Sequence, residues 1–499
     1  MNNFILNLIE PEPEYKSFLE RIKAFFSEAF KSRFNNVFGY ILLSIISFVL
    51  VLLMISAGYK IGIVLMVLLV GVPLAVACML DFTFGIMFTI TISFFLLGVK
   101  RIIGDIQVGL LMDFLIVLMF FGLIIKQIKE HNWDFAKNPI SKIILVWVIF
   151  NLLEAANPSA ASVLAWVYTV RSFAGIMILY FLLTYAINTK QMIAMLIAQW
   201  IVLTFLATLY GYYQEYVGMQ AFELQWIKSS PERYALLYQA GKFRKFSFFS
   251  DPLVFGILLS ITGVLCIILS TGPFSKLVKR TLTVIGVLML YGMLFSGTRA
   301  AYVLPIVGFV FYAIITLKKR ALYFTGLMFF FGFILVKIPT SNANLVRFQS
   351  AFNPTNDASY KVRVRNQAFI KPFIQSHPMG GGLGSVGEWG KKFAPWSPLS
   401  NFPPDSGFVR VAAETGWMGL LLYVSLLFTA FYVGIRDYFR IRDPELKCYS
   451  LALLTTLFCL TLANFPQEAI GQYPISLLFF VAIAVLNKCR IIDREIVEI

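Results

Sequence analysis

Apolar residues in this chain gather into long runs, broken by short polar or basic stretches rather than alternating with them. Runs of about 18 residues or more can cross a ~30 Å hydrocarbon core. They predict about fourteen helices, near 36–56, 61–80, 82–99, 108–126, 139–155, 162–187, 191–211, 252–271, 281–297, 299–317, 321–338, 407–434, 447–463 and 469–487. The period-two pattern of membrane barrels is absent, so backbone groups must be satisfied within helices, and the expected fold is an all-α polytopic bundle. Two breaks are long, near 212–250 and 339–406. The second has a helix signal of its own: from Asp357, "DASYKVRVRNQAFIKPFIQSHP" opens on a capping residue and sets Val364, Ala368 and Phe369 on one face, with Arg363, Gln367 and Ile370 on another.

Basic residues orient the bundle. Residues 126–142, 276–280, 318–320, 436–447 and 488–494 are rich in Lys and Arg and fall at one end, whereas the short turns at the other end hold Lys60, Lys100, Arg101 and Arg299. By the positive-inside rule both termini are inside and both long breaks outside. Segment 1–35, where Lys16, Arg21, Lys23, Lys31 and Arg33 interleave with Phe18, Ile22, Phe25, Phe26 and Phe30, is expected to lie as an amphipathic helix on the cytoplasmic surface, with no cleavable signal peptide. Residues 36–338 would then hold spans one to eleven, 339–406 a large outer loop containing helices, 407–487 three more spans, and 488–499 a cytoplasmic tail.

Composition sharpens this. The chain is 59% hydrophobic and 14% charged, with net charge +16. Most of that surplus follows from topology, which removes nucleic acid as an expected partner. The two outer breaks are nonetheless cationic, with Lys228, Arg233, Lys242, Arg244, Lys245, Arg347, Lys361, Arg363, Arg365, Lys371, Lys391 and Lys392. Long loops are largely exempt from the topology rule, so this excess points to an anionic ligand at the outer face. All five cysteines fall in expected spans or on the inner side, and His131 and His377 are the only histidines. Neither a disulfide in the outer loops nor a multi-histidine metal site is expected, so no metal and no cofactor is called for.

Arginines recur where they are costly. Arg171 sits inside the sixth expected span, as part of a site or as a structural partner of Glu154 or Glu215. Arg299, in "LFSGTRAAYV", starts the tenth and is otherwise an interfacial anchor; Arg244, in "GKFRKFSFFSDPLVFG", precedes the eighth and is otherwise a solvated charge. Together with Arg363 and Arg365 they share one membrane level, which a single pyrophosphate explains, because guanidinium forks bind phosphate oxygens bidentately. Asp405, in "PPDSGF", is either the N-cap of the twelfth span or a general base for a sugar hydroxyl. Glu414 reads as the interior partner of an arginine, and His377 as local turn structure. The run "GGGLGSVG" lacks the context of a dinucleotide fold or a P-loop; it is a tight turn or a phosphate-approaching one.

The order "R(363)…HPMGGGLG…D(405)SGFVRVAAETGWMGLLL", preceded by "R(244)KFSFFSDPLVFG" and "FSGTR(299)AAYV", resembles the O-antigen ligase and polymerase superfamily over residues 240–425. The resemblance implies a bacterial inner-membrane glycosyltransferase whose large loop and active face are periplasmic. It implies that Arg244, Arg299 and Arg363 hold the pyrophosphate of an undecaprenyl-linked glycan donor; Arg365 and Arg171 are expected beside them, and the expected acceptor is a second glycan. In the ligase branch the segment before the glutamate motif reads His-Asn-x-Tyr; Asp405 and Ser406 stand there, which favours a polymerase of O-antigen or exopolysaccharide repeats over a ligase to lipid A core. The expected reaction is inverting and metal-independent, with Asp405, Arg299 and Arg363 as its catalytic residues, membrane lipids as surroundings and a chain-length regulator protein as a further partner. The rival class is a transporter or flippase of lipid-linked sugars, which would need binding groups reachable from both faces.

Overall fold

The computed structural model of the chain describes residues 71–104, 109–239, 241–340, 343–350, 352 and 358–498, with a few positions between 40 and 48. The chain divides after Asp81 into two units. Of the first, the helix Gly71–Leu80 is described; the expected segment 1–35, nearly all of 36–56 and the start of 61–80 lie outside the described residues.

The second unit is almost entirely helical. Its helices are α1 (Phe82–Ile103), α2 (Gly109–Glu130), α3 (Pro139–Leu153), α4 (Val163–Ala186), α5 (Lys190–Tyr216), α6 (Ala221–Lys228), α7 (Pro231–Leu237), α8 (Pro252–Ser270), α9 (Lys276–Gly292), α10 (Arg299–Thr316), α11 (Lys319–Lys337), α12 (Ala343–Ser350), α13 (Ala358–Ser376), α14 (Glu388–Phe393), α15 (Gly407–Tyr438), α16 (Pro444–Ala463) and α17 (Ile475–Glu498). Eleven helices among the described residues are long and apolar enough to cross a membrane: α1–α5, α8–α10 and α15–α17. Helix α11 lies where the span at 321–338 was expected. The first long break begins later than expected, since α5 runs to Tyr216; it holds α6, α7 and a hairpin of β1 (Tyr238–Gln239) with β2 (Lys242–Phe243), Gln239 opposite Lys242.

Several spans start where a short polar side chain precedes proline. Asn138 accepts from Ser141 N (2.8 Å) ahead of Pro139, Asp251 from Leu253 N (2.8 Å) and Val254 N (3.1 Å) ahead of Pro252, and Asp443 from Leu446 N (2.8 Å) ahead of Pro444. The caps satisfy orphan amides, and proline's fixed φ suits the first helical residue. Helices α8 and α17 are the most buried spans, 83% and 89%, because their apolar residues run all the way round. Around α8 pack α5, α9, α10 and α16. Helix α9 buries Leu282 and Met289 on one face and leaves Val284, Val287 and Tyr291 exposed on another, the pattern of a lipid-facing helix. The two ends of the bundle differ. At one, Lys190 bridges Asp443 (3.0 Å) and Glu445 (2.7 Å), and Asp437 takes Arg436 (2.8 Å) and Arg490 (3.3 Å). At the other, where α8, α10 and α15 begin and α5 and α9 end, the long breaks gather.

The glycine run welds the second break to α15. Helix α15 breaks its own geometry at Gly416, with φ 67° and ψ −171°. The segment after α13 fits into that kink: Gly381 N donates to Ala413 O (2.9 Å), Gly382 N to Glu414 O (2.9 Å), and Met418 N to Pro378 O (3.2 Å). A Cβ at Gly416 would collide with the Pro378 carbonyl. From below, Asn157 Nδ2 donates to Met379 O (2.8 Å) and to Glu154 Oε2 (2.7 Å). The glycines therefore serve close backbone packing, the tight-turn alternative raised by the sequence.

Arg171 has a partner other than the two expected. Its Nε lies 2.9 Å from Asp113 Oδ2 on α2, a contact of charges without an aligned hydrogen bond. Glu154 is engaged with Asn157, and Glu215 faces Lys245 Nζ at 3.3 Å. Replacing Arg171 by Leu leaves the buried Asp113 carboxylate uncompensated and should cost about 2–3 kcal/mol, while Asp113→Leu with Arg171→Leu should restore most of it; thermal unfolding in detergent measures both. Gly416→Ala should cost about 2 kcal/mol or more, from backbone strain plus the Pro378 collision. In the same assay Gly387→Ala, at φ 82° but with open space around it, should cost clearly less.

Candidate functional site

The corner between α9 and α10 is the floor of the site. Helix α9 ends in a tight turn, Met293–Ser296, and Gly297 reverses the chain with φ 60°. Ser296 Oγ accepts from Thr298 N (3.1 Å), and Thr298 Oγ1 donates to Pro252 O (3.0 Å), tying the corner to the start of α8. Arg244, just after β2, clamps this turn: its Nε donates to Ser296 O (2.9 Å) and its Nη2 to Thr298 Oγ1 (3.0 Å), while Lys245 N reaches Phe295 O (3.0 Å). A charged side chain thus spends its donors on neutral oxygens, holding it in place without cancelling its charge.

Further guanidinium groups converge there. Arg347, on α12, donates through Nη2 to Gln239 Oε1 in the hairpin (2.6 Å). Its Nη1 occupies the space that a Cβ on Gly297 would need, and Arg244 Cγ borders the same space at 3.4 Å. Arg299, first residue of α10, lies within electrostatic reach of Arg347 and Arg363. Burial, and then the Arg347 charge, bring the Arg244 guanidinium down to about 10, and burial lowers Arg347 as well. A lowered value on a cation means that folding disfavours its charged form, a cost that a bound anion would reverse.

Helix α13 forms the wall. Ile370 is buried against Val386, Leu399, Phe402 and Ala413, with Phe373 and Val409 alongside. That apolar contact turns inward the face that also carries Arg363 and Asn366, one turn apart, about 4.5 Å along the axis. Asn366 Nδ2 donates to Asp405 Oδ2 (2.7 Å), so the carboxylate is fixed beside the arginine-bearing face. Asp405 does not cap α15: Ser406 does, its side chain accepting from Val409 N (3.5 Å).

The structure separates the other expected residues from this cluster. Arg365 is exposed on the opposite side of α13, since two residues rotate a helix by about 200°. Val364 and Phe369 are exposed too. Arg171 is held by Asp113 under Tyr168, 5.6 Å from its ring. His377 is local, stacked on Phe373 at 4.1 Å. Glu414 pairs with Arg410 (3.2 Å), which also binds Glu468 (2.6 Å), an interior pair as expected. Sequence reasoning missed Asn366 and Arg347; the second was visible only as one loop cation among many. Among the described residues no group of three metal-ligating side chains occurs.

Part of the chain is similar to known proteins. Residues 284–424 match the family described as O-Antigen ligase, a stretch that includes Arg299, Arg347, Arg363 and Asp405 but not Arg244. A protein named O-antigen polymerase, from Salmonella muenchen, is 28% identical over 38% of this chain and 47% of its own length, so the chain spans about half of that relative. The corner, the arginine-bearing loop helix and the start of α15 lie within the stretch matched by that family, so over this part the chain is similar to O-antigen ligases, and its apolar helices make it a multi-pass helical membrane protein.

Proposed function

We propose that this protein is a glycosyltransferase of the polymerase type, joining undecaprenyl-pyrophosphate-linked glycan units at the periplasmic face of the bacterial inner membrane. The observation that carries the reading is the convergence of Arg244, Arg299 and Arg363 at one end of the bundle, beside a carboxylate oriented by Asn366. In the proposed step an acceptor hydroxyl attacks the anomeric carbon of the donor, the bond from that carbon to the pyrophosphate oxygen breaks with inversion, and the hydroxyl proton passes to Asp405. The departing lipid pyrophosphate gains charge as it leaves. Guanidinium groups fixed beforehand by carbonyls and packing stabilise that charge without reorganising, which is where most of the rate enhancement would arise.

Support for polymerase over ligase comes from Asp405 at the ligase-histidine position and from the polymerase relative. The cluster's confinement to one end of the bundle fits a transferase better than a carrier. Arg171, paired with Asp113, enters as a structural residue of the same end.

The test uses a strain lacking its own copy, complemented with Arg299→Ala, Arg363→Ala or Asp405→Ala at matched protein levels, and displays surface polysaccharide by length. Each arginine variant should lower transfer about 10²-fold or more, and Asp405→Ala about 10²- to 10⁴-fold, leaving single-repeat products. Long chains left unattached would indicate a ligase instead; normal long chains in all three variants would remove the transferase reading.

A further inference from the structure

Ser247 is buried and takes φ 52°, in the left-handed region that a serine seldom adopts. It is the first central residue of a tight turn closed by Phe249 N on Phe246 O (3.0 Å), a position that glycine fills without strain. Such a conformation persists only where its surroundings fix it. Here every polar group of the residue is held. Its N–H donates to Gln214 Oε1 (2.9 Å), its carbonyl accepts from Arg101 Nη1 (2.9 Å), and its Oγ donates to Ala207 O (2.7 Å). Helix α5 supplies two of these contacts and the end of α1 the third, the Arg101 guanidinium resting on the Trp226 and Phe246 rings at 4.7 and 4.2 Å.

Just upstream, the same segment grips the site. Lys245 N donates to Phe295 O (3.0 Å) and Arg244 Nε to Ser296 O (2.9 Å), both on the corner from which Arg299 starts α10. So short a lever passes the position of Ser247 directly to that grip. Gln214 is completely buried, and its amide has one orientation open to it. Nε2 donates to Glu223 Oε1 (2.7 Å), which also accepts from Tyr210 OH (3.1 Å), while Glu223 Oε2 accepts from Gln220 N (2.9 Å). A carboxylate that only accepts turns the amide nitrogen toward itself, and therefore the amide oxygen toward Ser247. We propose that Gln214 is a positioning residue of the candidate site: oriented by Glu223, it holds the left-handed turn at Ser247 and, through that turn, the register of Arg244 and Lys245 on the corner. The chemistry of the corner rests on the transferase reading; its placement by Gln214 does not.

The purified full-length protein in detergent gives two readouts: hydrogen exchange of the peptides carrying the Lys245 and Thr298 amides, and transfer from an undecaprenyl-pyrophosphate-linked glycan. Gln214→Met keeps the volume and deletes the acceptor. It should speed exchange of both peptides about tenfold, the value of one hydrogen bond lost from a local opening, with α8 and α17 protected as before. The kcat should fall by a similar factor while the donor KM moves by less than about twofold, as expected of groups that act in the transition state. Gln214→Glu sets two carboxylates together and should show the same losses; adding Glu223→Gln restores a donor opposite an acceptor and should recover most of both. Glu223→Gln alone, which lets the amide turn over, should give a partial loss of the same kind even if Gln214→Met does not fold. Wild-type exchange at the corner in Gln214→Met, or in Gln214→Glu where the first does not fold, would overturn the assignment. So would a loss of protection spread evenly over the bundle with kcat falling only as the folded fraction does, or a paired variant no better than Gln214→Glu. If exchange responds as expected but the wild type transfers no glycan, Gln214 places the corner and the transferase reading is what fails.

Discussion

A guanidinium group confined near hydrocarbon has to be held by something that does not neutralise it, and the use of neutral oxygens for that purpose organises this end of the molecule. Ser296 O and Thr298 Oγ1 anchor Arg244, and Gln239 Oε1 anchors Arg347. Had carboxylates taken these places, the corner would be a stable ion-pair network with nothing left to offer an anion. The contrast is visible within the same chain: Arg410 is saturated by Glu414 and Glu468, and Arg171 is matched by Asp113. Those two arginines hold helices together. Arg244, gripped by neutral oxygens, is a charged site that the fold maintains at a cost.

The corner depends on the spans behind it. Asp251 caps α8 and Pro252 begins it; the Pro252 carbonyl then receives Thr298 Oγ1, so the helix start that satisfies its own amides also positions the turn that Arg244 grips. On the other side, Ile370 pins α13 to a small apolar core, and the same contact sets the direction of Arg363 and Asn366. Ordinary burial thereby aims polar groups, since a helix has only one rotation that hides its apolar stripe.

Much of this was legible from the sequence, for identifiable reasons. Long apolar runs dictate spanning helices irrespective of tertiary detail, so the eleven spans among the described residues and the two long breaks were recognisable, as was the helix from 358. Arg244, Arg299 and Arg363 stood out through the order of the segments around them. Arg347 did not, because α12 is a short polar helix and the seat of its guanidinium is made of Gln239 and Gly297, far apart in the chain. The cap of α15 fell one residue from expectation: Asp405 and Ser406 are both competent, and only the tertiary bond from Asn366 decides between them. The partner of Arg171 was hidden likewise, as Asp113 lies on a different span and nothing local distinguishes it from Glu154 or Glu215. Arg365 looked equivalent to Arg363 in composition, while a rotation of about 200° separates them.

The glycine weld has a consequence for how the large loop can vary. Two backbone hydrogen bonds, from the adjacent Gly381 and Gly382 amides to consecutive carbonyls of α15, hold this segment to a single register. An inserted residue near Gly381 would shift every following donor past its acceptor, whereas residues around Trp396, which is 73% exposed, could be added without touching that register. Length changes in the loop are therefore channelled outward, into its exposed part, and away from the anchored base.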